Sequence, residues 1–111
     1  MKKTVFLYSG EGTNNSETKF NLLKHSKYWS EIQHILKSKL DLDLEEIWEK
    51  EIGKHRCPAS PLITVVSQIC LSDIWIQWGY EPDILIGHSI GELAASFQAG
   101  LYSLEDVLLL T

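Results

Sequence analysis

Cysteine is scarce in this chain. There are 2, Cys57 and Cys70, too far apart for a Cys-x-x-Cys motif, and no histidine pair accompanies them at zinc spacing. A metal site and a disulfide framework are therefore not expected. Cys70 lies inside an apolar segment and reads as a small buried hydrophobe in a reducing compartment. Positive charge is also short. Lys and Arg number 10 against 15 Asp and Glu, for a net charge of −5. A surface of that sign is not built to neutralise phosphates or anionic lipid, which excludes nucleic-acid and membrane partners. The lysines between Lys19 and Lys39 are followed by acids from Asp41 to Glu51, a pattern of solvated helix faces.

Long hydrophobic runs are missing too. "MKKTVFLYSG" opens like a signal peptide, but the apolar run Val5–Tyr8 is too short for a signal core and leads into a Gly-rich turn. No run approaches the length of a membrane span. A cytoplasmic protein is expected. The sequence has no internal repeat and no low-complexity tract. Its 111 residues allow one small domain, and 44% apolar with 23% charged residues is an ordinary globular balance.

"TVFLYSG" reads as a short buried strand stopped by Gly10 and Gly12, in a turn where backbone comes close to something. From Glu17 to about Leu40 the pattern is helical, with Trp29, Ile32, Leu36 and Leu40 on one stripe. Tyr28–Trp29 offers a fresh helix start after Ser26 as an alternative. Leu42 to Gly53 allows a further short helix. Pro58 and Pro61 punctuate the chain before a helix from Leu62 to Trp78 that is apolar almost all round, so it belongs inside a larger structure. Gly79 stops it and Pro82 prevents its resumption. "DILI" is the second buried strand. A helix runs from Ser89 to Ala99, and Gly100 ends it. Ser103 with Asp106 reads as the N-cap and first-turn acid of a last helix. This order predicts an α/β fold with a parallel sheet. Two strands make a poor parallel sheet, because such sheets need cover on both faces.

"GHSIG", Gly87 to Gly91, fits the nucleophile-elbow pattern G-x-S-x-G, with an apolar strand before it and a helix after it. Ser89 would stand on a sharp strand-to-helix turn. Gly87 and Gly91 remove side chains that would clash across that turn, and the helix points free N–H groups at the reacting centre. A Gly-Ser turn that merely joins strand to helix is the plain alternative. His88 points away from its neighbour on such a turn and is better suited to shaping the elbow than to acting as base. His25, His34 and His55 are other candidates for the base.

The residues Trp78 to Leu110, "WGYEPDILIGHSIGELAASFQAGLYSLEDVLLL", resemble the acyltransferase family that loads acyl groups onto carrier proteins. This is the malonyl-CoA:carrier-protein transacylase type, which includes the polyketide synthase acyltransferases. The family pattern is a Trp-Gly turn, Pro-Asp, a strand, Gly-His-Ser-x-Gly-Glu, small residues, Ala-Gly, then Ser-Leu-Glu-Asp. "FLYSGEGT" is similar to the family's opening Phe-x-Gly-Gln-Gly-Ser strand and loop. The resemblance covers essentially the whole chain.

It implies a partial α/β-hydrolase-like core, with short parallel strands flanked by helices. Residues 1–111 would be the N-terminal part of the large subdomain, with the small ferredoxin-like subdomain outside the chain. Ser89 would attack an acyl-CoA thioester and form an acyl-enzyme ester. The phosphopantetheine thiol of an acyl carrier protein would then accept the acyl group. The backbone N–H groups of Ile90 and Glu11 would form the oxyanion hole, and Gly10, Gly12, Gly87, His88, Gly91 and Glu92 would support the elbow or the substrate. No bound cofactor is implied; acyl-CoA and the carrier protein are the substrates and partners. The family's catalytic histidine and carboxylate-binding arginine lie further along than Thr111, so the isolated residues 1–111 are expected to be inactive.

Two departures stand out. The family's Gly-Gln-Gly is Gly10-Glu11-Gly12 here. Backbone donation survives that change, but a carboxylate beside the nucleophile would repel a malonyl group and could orient a water. Hydrolysis of acyl thioesters on carrier proteins is therefore an alternative to transfer. The family's Thr-Gln-Pro is replaced by Ser60-Pro61 without the glutamine. Ile90 at the variable elbow position suggests malonyl or acetyl units. A generic serine esterase would share the elbow but not its flanks, and an inactive fragment or docking piece is the non-catalytic alternative.

Overall fold

The computed structural model describes residues 2–10, 21–51 and 60–111. In chain order the elements are strand β1 (Val5–Tyr8), helices α1 (Trp29–Leu40), α2 (Leu44–Glu51) and α3 (Ser60–Gln77), strand β2 (Ile84–Gly87), and helices α4 (Gly91–Gln98) and α5 (Leu104–Leu110). Residues 21–23 are also helical.

β1 and β2 are short apolar runs that pair in parallel, with Val5 opposite Ile84 and Tyr8 opposite Gly87. Asp83 fixes the register before the ladder begins. Its carboxylate accepts the Thr4 N–H at 2.8 Å, and its own N–H donates to the Thr4 carbonyl at 2.8 Å. Helices cross between the strands, as a parallel pair requires. Phe6, Tyr8 and Leu85 face the helices and join the core. Val5, Leu7, Ile84 and Ile86 alternate with them onto the opposite face, where Leu7 is 73% exposed. The α/β architecture with a short parallel sheet is as expected, and among the described residues helices cover this sheet on one face only.

α3 carries the centre of the core. Val65, Val66 and Cys70 are fully buried, and Leu62, Ile63, Ile69 and Ile74 nearly so. The apolar pattern has the burial it called for along most of α3; Trp75 is exposed, and so is Trp78, which lies just past the end of the helix. α1 packs Trp29, Ile32 and Leu36 inward, with Trp29 edge-on to Trp48 of α2. Leu40 does not follow that stripe. It is exposed because Asp41 turns left-handed directly after it (φ 51°) and closes the helix onto Leu36.

The continuous helix from Glu17 to Leu40 is not formed. The chain breaks after residues 21–23 and restarts at Trp29, which is the alternative start after Ser26. The reason is long-range. The Ser26 hydroxyl donates to the buried Asp73 carboxylate of α3 at 3.0 Å, and the Lys27 N–H donates to the same oxygen at 2.8 Å. Gln77 adds a third donor to that oxygen at 2.7 Å. Gly79 (φ 97°) and Gly100 (φ 79°) take the left-handed conformation at the expected helix stops. Ser103 caps α5 by accepting the Asp106 N–H at 3.1 Å. The expected helix end at Gly53 lies outside the described residues, as do Glu11, Gly12, His55, Cys57 and Pro58. Among the described residues no helix is long and apolar enough to cross a membrane.

Candidate active site

The site begins where β2 ends. The His88 N–H donates to the Tyr8 carbonyl at 2.9 Å, one step beyond the ladder. Ser89 then takes φ 56°, in the left-handed region that costs a non-glycine residue about 1 kcal/mol. Tight bonds follow at once, from Gly91 N–H to His88 O and from Glu92 N–H to Ser89 O, both at 3.0 Å. Ser89 therefore sits at the apex of a strand-to-helix turn with its side chain exposed. α4 starts at Gly91 and not at Ser89 as the helical pattern suggested, because a left-handed residue cannot belong to it.

Both elbow glycines are required by space. A Cβ on Gly87 would lie 2.7 Å from the Glu92 Cα and from the Gly91 carbonyl oxygen. A Cβ on Gly91 would collide with the carbonyl oxygen of Tyr8 and lie 2.7 Å from that of Ser9. The first turn of α4 is thus pressed against the end of β1.

The chain leaving β1 continues over the elbow. The Cβ position of Gly10 lies 3.5 Å from the His88 ring and 3.8 Å from the Ser89 Cβ. Residues 10 and 89 meet although they are far apart in the sequence. Gln68 of α3 donates from its side-chain amide to the Ser9 carbonyl at 2.6 Å. One turn further along α3, the Ser72 hydroxyl lies 2.8 Å from that of Tyr8 and donates to the Gln68 carbonyl at 2.7 Å. Burial pushes the Tyr8 phenol above its ordinary value, partly offset by that hydroxyl contact. Sequence reasoning missed Gln68. Its only trace is a polar pair, Ser67-Gln68, inside an otherwise apolar helix.

Ile90 follows Ser89 at the mouth of α4, and its N–H has no acceptor among the described residues. Glu92 lies exposed in the first turn of α4, and His88 is exposed with its ring edge against Gly10. No described side chain hydrogen-bonds the Ser89 hydroxyl. His25 and His34 are exposed in the α1 region and take no part in the elbow. The backbone of Glu11 and Gly12 lies outside the described residues. An open groove of about 420 Å³ runs beside β1, with Phe6, Leu7, Ser67, Gln68, Leu71 and Trp75 in its walls; no residue of β2 or the elbow lines it. Among the described residues no cluster of His, Cys, Asp and Glu is arranged to hold a metal ion.

The arrangement can present one hydroxyl to an electrophile, with a free backbone donor beside it and a second backbone segment laid across it. The family model described as "Acyl transferase domain" matches residues 5–111. Non-reducing polyketide synthase ntnG of Nectria sp is 31% identical over 111 residues, covering 94% of this chain and 6% of its own length. Probable polyketide synthase 42 of Dictyostelium discoideum is 29% identical over 124 residues, covering 97% of this chain and 4% of its own. Hybrid PKS-NRPS synthetase pytA of Aspergillus terreus is 38% identical over 87 residues, covering 78% of this chain and 12% of its own. The chain thus spans a small fraction of the length of the relatives it matches.

Proposed function

The chain belongs to the acyl transferase domain family, and on that premise we propose that it carries the serine of a domain that moves an acyl group from coenzyme A to an acyl carrier protein, in polyketide or fatty-acid biosynthesis. The observation that carries the reading is Ser89 held left-handed at the apex between β2 and α4, with Gly10 against it. In this reading Ser89 Oγ attacks the thioester carbonyl carbon, its proton passes to a base, and the coenzyme A thiolate leaves. The carrier protein's thiol then attacks the Ser89 ester and restores the hydroxyl. The N–H groups of Ile90 and Glu11 would receive the developing oxyanion, helped by the positive end of α4. The base and any carboxylate-binding arginine are assigned to residues beyond Thr111. Residues 1–111 then make up the N-terminal part of the large subdomain of an α/β-hydrolase-like core.

Malonyl and acetyl units are the proposed substrates. The Gly10-Glu11-Gly12 sequence supports one second reading, hydrolysis of acyl groups from carrier proteins, because a carboxylate can orient a water at the ester. The test incubates the full-length protein with malonyl-CoA or acetyl-CoA, with and without carrier protein, and follows products by mass spectrometry. Acyl-Ser89 and acyl-carrier support transfer. Free acid released from acyl-carrier, with a shift toward transfer in Glu11→Gln, supports hydrolysis. A full-length protein that never forms an ester at Ser89 overturns both.

A further inference from the structure

Four of the glycines in the described structure have a plain reason to be glycine. Gly79 and Gly100 take the left-handed conformation, and a Cβ on Gly87 or Gly91 would run into backbone. Gly10 has neither reason. Its φ lies outside the left-handed region. The nearest described atoms to a Cβ built there are the His88 ring at 3.5 Å, the His88 carbonyl oxygen at 3.6 Å and the Ser89 Cβ at 3.8 Å. These are ordinary contact distances, and an alanine would fit among them.

A glycine that needs neither its backbone freedom nor its small size works against folding, because it widens the choice open to the unfolded chain. What Gly10 leaves in return is a methyl-sized notch. Its walls are the His88 ring edge and the Ser89 Cβ, and both of those residues are exposed. Ser89 carries its hydroxyl on that same Cβ, so a group esterified to Oγ begins beside the notch. The carbonyl carbon comes first, then the α-carbon with its substituents. A methyl at position 10 and a substituted α-carbon would compete for one place.

We propose that Gly10 is a specificity-determining residue: the space left by its missing side chain receives the α-carbon substituent of the acyl group carried on Ser89. The proposal rests on the reading of Ser89 as the nucleophile and deepens it by saying where the acyl group lies. Acetyl brings only hydrogen to the notch, whereas malonyl brings a carboxylate. Filling the notch therefore penalises malonyl more than acetyl, and bulk of any chemistry more than its absence.

The test compares full-length wild type with Gly10→Ala and Gly10→Ser. Melting temperature is read first. Single-turnover acylation of Ser89 is then followed with acetyl-CoA and with malonyl-CoA. Labelling of Ser89 is followed with methanesulfonyl fluoride and with phenylmethanesulfonyl fluoride, which sulfonylate the hydroxyl with loss of fluoride. Both variants are expected to melt at or above the wild-type temperature. The malonyl-to-acetyl rate ratio should fall about tenfold or more, and the phenylmethyl-to-methyl labelling ratio should fall with it. Folded variants that keep both wild-type ratios overturn the proposal. So does a marked fall in melting temperature in both variants, which would make Gly10 a requirement of the fold. If wild-type Ser89 is sulfonylated but takes neither acyl group, the proposed function fails, and the labelling ratio alone still decides the role of Gly10. A wild-type Ser89 that reacts with none of the four reagents overturns both.

Discussion

Between the Cα of Gly91 and the carbonyl oxygen of Tyr8 there is no room for a methyl group. This contact joins the first turn of α4 to the end of β1, and both partners are backbone, so neither can swing aside. Gly91→Ala must therefore push the helix off the sheet. The expected cost is about 3 kcal/mol of stability, read as a lower urea midpoint, together with loss of Ser89 labelling in whatever protein stays folded. An alanine variant that labels normally would show that the elbow tolerates a looser contact.

The left-handed Ser89 predicts a comparison between two inactive variants. Neither Ser89→Ala nor Ser89→Gly can form an acyl ester, but only glycine adopts φ 56° without strain. Ser89→Gly should be the more stable of the two by about 1 kcal/mol, measured by thermal unfolding. Equal stabilities would mean that the turn relaxes once the hydroxyl is gone.

Burial pushes the Cys70 thiol from its ordinary 9.0 up to about 12, partly offset by Ser26. Above pH 9 the unfolded chain releases this proton while the folded chain keeps it. The folded state then binds more protons, so stability falls with rising pH. The contribution is whole below pH 9 and is lost as pH climbs toward 12. Tyr8 adds to the loss above its ordinary 10.0, in the same direction. Urea midpoints should decline through this window, and Cys70→Ala should flatten the decline. Iodoacetamide at about pH 8 should leave the Cys70 peptide unmodified until the protein is denatured.

Asp73 is 3% exposed and accepts three hydrogen bonds on one oxygen, from Ser26, Lys27 and Gln77. Asp73→Ala leaves all three donors without their acceptor, at about 3 kcal/mol. Asp73→Asn keeps one acceptor oxygen in a side chain of the same shape and should cost about 1 kcal/mol. Denaturation midpoints of the two variants check the order. If Asn proves as damaging as Ala, the charge matters more than the bonds.

The parts of the molecule legible in the sequence are those set within a few residues. Both strands, the stops at Gly79 and Gly100, the Ser103 cap and the elbow around Ser89 follow from local dihedral preference and short periodicity. Strand and helix limits were still off by a residue or two where a side chain intervened: Asp83 spends its carboxylate on Thr4, and β2 starts after it. The break before Trp29 depends on Asp73, 47 residues from Ser26. The grip on Ser9 depends on Gln68, 59 residues away. Bonds of that reach leave no periodic trace. The runs "TVFLYSG" and "DILI" read as buried strands. In the fold, Val5, Leu7, Ile84 and Ile86 form a bare face, because apolarity states what a residue avoids and not what covers it.

The posture of Ser89 has a practical consequence. It exists only while two segments far apart in the sequence are assembled through three contacts: Tyr8 with His88, Ser9 with Gly91, and Gly10 with Ser89. An unfolded chain carries the same hydroxyl as an unremarkable alcohol. Chemical labelling of this one oxygen therefore doubles as a folding gauge for the whole strand-and-helix layer. It would register partial opening near the elbow that a bulk signal, averaged over the helices, passes over.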